Sequence, residues 1–256
     1  MATILITSGG TKVHIDEVRH VGNMSSGRFG ADLARAALMR GHEVIFIYAK
    51  GSVRPDQVTL NLRGNTEANR DHKLMQDIAM VLGDVRYLEA VNSRLYMDEY
   101  RDFDEYAAKL EKWLTKLGHP PEVTMLTAAV SDYGMPPVGG KISSDKDEIS
   151  FTMTRLPKLI SKVKEWCPTT YLVGFKLLVG ATLVDAANAV KKQQDVAHSD
   201  LVVVNDIREI KKGNHVLWVF SQPGAVQVLK NHDTLAEDLI RLVNGQAHAA
   251  VMKERA

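Results

Sequence analysis

Thr3-Ile4-Leu5-Ile6-Thr7 opens the chain as an apolar run, and a long polar, glycine-bearing loop follows it from Ser8 to about Gly27. The loop ends in Asn23-Met24-Ser25-Ser26-Gly27-Arg28-Phe29-Gly30. From there Leu33, Ala34, Ala37 and Leu38 recur at helical spacing, which predicts a helix from about Phe29 to Arg40. Gly41 stops it, as glycine does just past a helix end. Glu43 to Tyr48 reads as a second strand. Strand, helix and strand make one βαβ unit, the repeating piece of a parallel sheet.

Outward from this unit the alternation continues. A short strand is expected around Val58 to Leu62, and helices near His72 to Leu82 and Phe103 to Leu117. Asp84 to Tyr100 fits neither pattern. Pro120-Pro121 introduces a buried strand, Val123 to Ala128. Asp132 to Asp147, rich in Gly, Pro, Ser and charge, reads as a flap. Expected next are a strand Glu148 to Met153, a helix Lys158 to Trp166, a strand Tyr171 to Phe175, a helix Leu183 to Gln194 and a strand Leu201 to Val204. Residues 215–220 and 225–229 read as an antiparallel pair joined at Gln222-Pro223-Gly224. A helix from Thr234 to Leu242 closes the chain, with a frayed tail over 245–256. The class is α/β with a mostly parallel sheet and no internal repeat.

Composition narrows the function. The 256 residues carry 32 Lys+Arg against 31 Asp+Glu, a net charge of +1. A protein built to hold a nucleic-acid backbone needs a clear basic excess. Cys167 is the single cysteine, which excludes an internal disulfide and a Cys-rich zinc site. The nine histidines show no HExxH or paired-ligand spacing, so no metal ligands are assigned. The longest apolar stretch, Tyr171 to Val184, is broken by Lys176 and falls short of the roughly 18 residues of a membrane helix. The N-terminus lacks the basic flank and length of a signal peptide, so the expected location is the cytoplasm.

In open α/β sheets ligands bind beyond the carboxyl ends of the strands. Four such ends carry polar or glycine residues: Ser8-Gly9-Gly10-Thr11, Ala128-Ala129-Val130-Ser131-Asp132, Phe175-Lys176 and Asn205-Asp206. Ser25, Ser26 and Gly27 at a helix start offer backbone N–H groups to a phosphate or carboxylate; a plain N-cap is the competing reading. The spacing of Gly22, Gly27 and Gly30 is wrong for a dinucleotide fingerprint. Tyr48-Ala49-Lys50 stands where a ribose-binding acid belongs, which disfavours hydride transfer. Lys141, beside Gly139-Gly140 in the flap, is a surface lysine or one that closes over an anion. Lys176 interrupts an apolar strand end and either snorkels or faces an anion. Asp16 and Arg19 form a local pair, which often only holds a loop.

Thr7-Ser8-Gly9-Gly10-Thr11, Ile15-Asp16-Glu17-Val18-Arg19, Asn23-Met24-Ser25-Ser26-Gly27, Ala128-Ala129-Val130-Ser131-Asp132-Tyr133, Lys141-Ile142, Val173-Gly174-Phe175 and Asn205-Asp206 together resemble the phosphopantothenate–cysteine ligase family, in that family's order. The resemblance implies a single synthetase-like domain over 1–256. It implies a Rossmann-like three-layer fold with a mostly parallel central sheet and a small antiparallel extension, and a homodimer. The implied reaction joins 4'-phosphopantothenate and L-cysteine through an acyl-nucleotide, consuming CTP or ATP with Mg2+. It assigns catalysis to Asn23, Lys141 and Arg19. It assigns substrate and nucleotide binding to Gly9, Gly10, Thr11, Ser25, Ser26, Gly27, Ala128, Ala129, Asp132, Phe175, Lys176, Asn205 and Asp206. Ser143-Ser144 and Lys176-Leu177-Leu178-Val179 depart from the fused bacterial pattern and are similar to eukaryotic and stand-alone members. On this resemblance, 256 residues are expected to hold the ligase unit without the flavin-dependent decarboxylase that fused members carry. A non-catalytic nucleotide-binding relative and a Rossmann oxidoreductase are the alternatives.

Overall fold

The computed structural model describes residues 1–57, 83, 85–115, 118, 120–145, 147–222, 225–230 and 232–254. The expected strand at Val58 to Leu62, the expected helix at His72 to Leu82 and the hairpin tip at Pro223-Gly224 lie outside them.

Ile4, Leu5 and Ile6 have no exposed surface. A strand apolar on both faces must be covered on both, and this one is. Successive side chains point to opposite faces of a strand. Ile4 and Ile6 therefore join one core with Leu33, Leu38, Leu239 and Val243. Leu5 joins the other with Tyr106, Leu110 and Val163. The three layers follow from this one strand, β1 (Thr3–Ser8).

Around it runs an eight-stranded sheet. β4 (Glu43–Ala49) and β6 (Val123–Leu126) flank β1 in parallel, Ile6 lying opposite Phe46 on one side and Met125 on the other. β5 (Leu95–Tyr100) lies outside β4. β9 (Tyr171–Leu178), β10 (Leu201–Asp206), β11 (Leu217–Gln222) and β12 (Ala225–Leu229) continue beyond β6, the last two antiparallel. The spatial order is β12-β11-β10-β9-β6-β1-β4-β5. Its parallel part follows the doubly wound order, and the winding reverses between β1 and β6. A crevice forms at the carboxyl ends of those two strands.

The first loop holds a hairpin, β2 (Lys12–His14) with β3 (His20–Gly22). Helix α1 (Arg28–Met39) and the closing helix α7 (Leu235–Glu254) cover one face. Residues 85–94 form α2, and α3 (Phe103–Thr115) and α4 (Val163–Trp166) follow, the latter two on the opposite face. α5 (Leu183–Ala197) packs on β9 and β10, and the short α6 (Ile207–Lys211) follows β10.

Four expectations are corrected. Of residues 84–100, unassigned from sequence, 85–94 form α2 and Leu95–Tyr100 the edge strand β5. Asp98 made that strand look polar because it serves a neighbour: its carboxylate accepts from Trp113 Nε1 at 3.0 Å and pairs with Lys109 and Lys112. Glu148 to Met153 is not a strand. Ile149, Phe151 and Met153 do alternate, but no strand among the described residues pairs with them, and a two-residue pair, β7 (Tyr133–Gly134) with β8 (Thr154–Arg155), closes the flap base instead. Asn205 and Asp206 belong to β10 rather than following it. The last helix runs through the expected tail to Glu254, because Leu239, Ile240 and Val243 anchor it on the sheet.

Leu239 is fully buried under α1 and the sheet. Leu239→Ala is expected to lower unfolding stability by about 2–5 kcal/mol. Urea denaturation should show the lost midpoint with an unchanged slope.

Candidate active site

The crevice is stitched by backbone. Ala129 N–H donates to Gly9 O at 2.8 Å, and Thr11 N–H donates to Ala129 O at 3.1 Å. Ser131 N–H donates to Thr11 Oγ1 at 2.8 Å, and that hydroxyl donates to Ser131 Oγ at 3.1 Å. Asn23 is tied to the same point. Its backbone N–H reaches Thr11 O at 3.4 Å and its Nδ2 donates to Ala129 O at 2.9 Å. The second N–H and the carbonyl oxygen of this exposed amide have no hydrogen-bond partner among the described residues and are open to a ligand. The approach depends on Gly10, where a Cβ would lie 2.4 Å from Asn23 O.

Helix α1 begins beside this junction. Its N-cap is Gly27, at φ 73, with no side-chain cap and no acid in the first turn. Ser8 Oγ donates to Gly27 O at 2.9 Å, and a Cβ on Gly27 would meet Ser8 and Ser52 at 2.9 Å. Ser26 Oγ accepts from Arg28 N–H at 3.3 Å. The helix therefore presents its positive end to the crevice without an internal anion. Phe29 stands edge-on to Phe175 at 6.3 Å and to His215 at 4.9 Å. Asn205 Nδ2 lies 3.4 Å from His215 Nε2. Burial, aided by the charge of His232, pushes the His215 ring below the usual histidine range. Phe175, Asn205 and the α1 start are thus neighbours.

Lys176 feels a different set of charges, those of Lys158, Asp132 and Lys192. Burial, then the charge of Lys158, lowers its pKa, while Asp132 opposes them. Asp132 is already paired with Lys158. Asp206 is committed to the chain itself: its carboxylate accepts from Ala181 N–H and Arg208 N–H, each at 2.7 Å, and caps α6. That use explains its burial without a ligand.

Asp16 organises the flap. It is 1% exposed and accepts from Val18 N–H at 2.9 Å, Arg19 N–H at 2.7 Å and Ile142 N–H at 3.1 Å. Arg19 Nη1 donates to Asp16 Oδ2 at 2.7 Å and to Ile142 O at 3.1 Å. Burial raises the carboxyl's pKa, but the N–H donors of Val18, Ile142 and Arg19, with the guanidinium charge, outweigh it and hold it at about 2. Arg19 therefore acts through the flap, and Lys141 rides next to the pinned Ile142, exposed and outside any ion pair among the described residues.

One group escaped the sequence reading. A cavity of about 230 Å3 beside Asn23 is lined by Lys12, His20, Ser25, Lys50 and Ser52 together with glycine backbone. Lys50-Gly51-Ser52 follows β4, so the strand-end rule that picked out the other loops also points to it. Among the described residues no three or more His, Cys, Asp or Glu side chains are grouped to hold a metal ion, and no helix is long and apolar enough to cross a membrane.

The family described as DNA/pantothenate metabolism flavoprotein C-terminal domain matches residues 1–81 and 105–246. The phosphopantothenate–cysteine ligase of Homo sapiens is 31% identical over 225 residues, 79% of this chain and 71% of that protein. The coenzyme A biosynthesis bifunctional protein CoaBC of Thermococcus kodakarensis is 30% identical over 205 residues, 80% of this chain; the alignment spans only 41% of that longer protein. In fold the chain is similar to a Cab2 mutant solved with phosphopantothenate-cysteine, with TM-score 0.79 and 21% identity, covering 100% of this chain and 89% of the other.

The flap clamp has a pH signature. Asp16 is held at about 2 against an ordinary 3.8, so its contribution is whole above the ordinary value and is lost as pH falls through about 2. Amide exchange at Ile142 should stay protected from neutral pH down to about pH 4. Asp16→Asn, read by the same exchange experiment at neutral pH, should speed it by about tenfold or more.

Proposed function

The chain belongs to the DNA/pantothenate metabolism flavoprotein C-terminal domain family and to the phosphopantothenate–cysteine ligases it matches, and we propose that it joins 4'-phosphopantothenate to L-cysteine at the expense of a nucleoside triphosphate. The observation that carries this reading is the Asn23 amide, fixed on Ala129 O beside the uncapped start of α1. A carboxylate and a phosphate chain would meet there.

The reaction runs in two steps. A carboxylate oxygen of phosphopantothenate attacks the α-phosphorus, forming a C–O–P link as the bond to pyrophosphate breaks. The cysteine amine then attacks the acyl carbon; the C–N bond forms, the nucleoside monophosphate leaves, and the amine gives up its proton. Asn23, being neutral, donates to the carboxylate without binding it as an ion pair. Ser25, Ser26 and Gly27 present α1's amides to the phosphates. Gly9, Gly10 and Thr11 with Ala128 and Ala129 form the bare backbone wall on which the acyl group lies. Phe175 and Asn205, neighbours of the α1 start, serve substrate or nucleotide binding in this reading, and Asp132 the nucleotide. Lys176, partly desolvated, gains from a phosphate neighbour. Lys141 is carried by the flap to the charge that develops at acyl transfer, and Arg19 sets the flap's position. Asp206 shapes this rim through its cap on α6.

The residues of the crevice form no acidic cage, so magnesium is read as part of the triphosphate substrate, held mainly by phosphate oxygens. CTP and ATP are both candidates. We place the chain in the cytoplasm as one synthetase unit. Pairing of two copies beside the flap is supported by Ile149, Phe151 and Met153, exposed by 45%, 42% and 37% on alternate positions of a segment that joins no strand among the described residues.

With phosphopantothenate, cysteine and Mg2+, the chain should release pyrophosphate from CTP or ATP, and running both nucleotides side by side fixes the preference. Asn23→Ala should lower kcat by about 100-fold or more with the fold retained. A chain that releases none above background with either nucleotide is not this ligase. By sedimentation the wild type should be a dimer and Phe151→Asp a monomer.

A further inference from the structure

The cavity beside Asn23 has a charge pattern of its own. Lys12 lies on β2 opposite Gly22, so no side chain of β3 covers it from across the hairpin. Lys50 follows β4, and Ser52 packs against the N-cap Gly27. Neither lysine is in an ion pair among the described residues, whereas Lys158 on the other rim is paired with Asp132. None of the cavity's lining residues is acidic, and His20 adds a ring N–H. Two cations without a counter-charge among the described residues, in a concave site floored by glycine backbone, attract a compact anion. The volume, about 230 Å3, is below the roughly 300–1,000 Å3 of pockets that enclose a whole drug-sized ligand. It suits a phosphate or pyrophosphate group with its waters, not a nucleoside.

We propose that Lys12 and Lys50, with His20, form a phosphoryl-anion subsite that takes the terminal phosphate of a substrate whose reacting end lies at Asn23. The inference rests on the ligase reading above. Two substrate groups share this chemistry: the β,γ-phosphates, which leave as pyrophosphate, and the phosphate monoester of phosphopantothenate. Lysine serves either as a point charge. Asn23 and Ser25 line both the cavity and the crevice, so the bound anion and the reacting carboxylate are reached from one channel.

The test uses the full chain with Lys12→Gln, Lys50→Gln, the double variant and the charge-keeping Lys50→Arg. Calorimetric titration with inorganic pyrophosphate and with inorganic phosphate comes first, because it does not depend on ligation. Affinity should fall about tenfold for each lysine lost and return with Lys50→Arg. Kinetics then separate the two sources. If the subsite holds the nucleotide tail, the double variant raises KM for the triphosphate and weakens pyrophosphate inhibition, with KM for phosphopantothenate unchanged. If it holds the monoester, KM for phosphopantothenate rises instead, and the preference over unphosphorylated pantothenate shrinks. Thermal melting confirms that the variants fold. The subsite is overturned if the folded double variant binds both anions as the wild type does and keeps both KM values within about twofold. A wild type that fails to ligate but loses pyrophosphate binding on Lys→Gln substitution overturns the ligase reading and leaves the anion site standing.

Discussion

Ala129 O is the point on which the site hangs. It accepts from Thr11 N–H and from Asn23 Nδ2, while the N–H of the same residue reaches Gly9 O. One residue thereby joins the ends of β1 and β6 where the sheet reverses its winding, and fixes the loop that carries the Asn23 amide. The junction is rigid because it extends the parallel ladder by one bridge, Gly10 with Ala129. It suits the proposed chemistry because, among the described residues, it leaves half of the Asn23 amide without a hydrogen-bond partner. Fold and chemistry meet in two residues that have almost no side chain between them.

The central layers were legible in sequence for a simple reason. Strands buried on both faces are written as unbroken apolar runs, and Ile4-Leu5-Ile6 and Leu201-Val202-Val203-Val204 are such runs. Helix α1 announced itself through Leu33, Ala34, Ala37 and Leu38, all buried. The edge strand β5 did not, since an outer strand needs only one covered side and spends Asp98 on α3. Glu148 to Met153 misled in the opposite sense: period-two alternation signals a strand only when a partner strand exists, and among the described residues none pairs with it.

The site was legible where it follows strand ends and illegible where it depends on pairs distant in sequence. Gly9, Gly10 and Ala129 follow β1 and β6 as the strand-end rule requires, whereas Phe175 and Asn205 reach the start of α1 from inside β9 and β10. What Asp16 does could not be read locally, because its third amide donor, Ile142, comes from far along the chain. Asp206 shows the limit of the rule, since a carboxylate at a strand end also serves as an ordinary helix cap. Lys12 escaped because a short hairpin strand gives almost no periodic signal.

Tyr100 belongs to the strand farthest from the antiparallel edge, yet its hydroxyl donates to Ser8 O at 2.8 Å. Ser8 in turn holds the carbonyl of Gly27. A mechanical line thus runs from the outer border of the sheet, through a buried phenol and a hydroxyl, to the first turn of α1. The tyrosine is fully enclosed, so this border is not a spare edge open to drift. Damage to an outlying strand would be felt as misalignment at the centre, and a screen for loss of activity would return positions that touch no substrate.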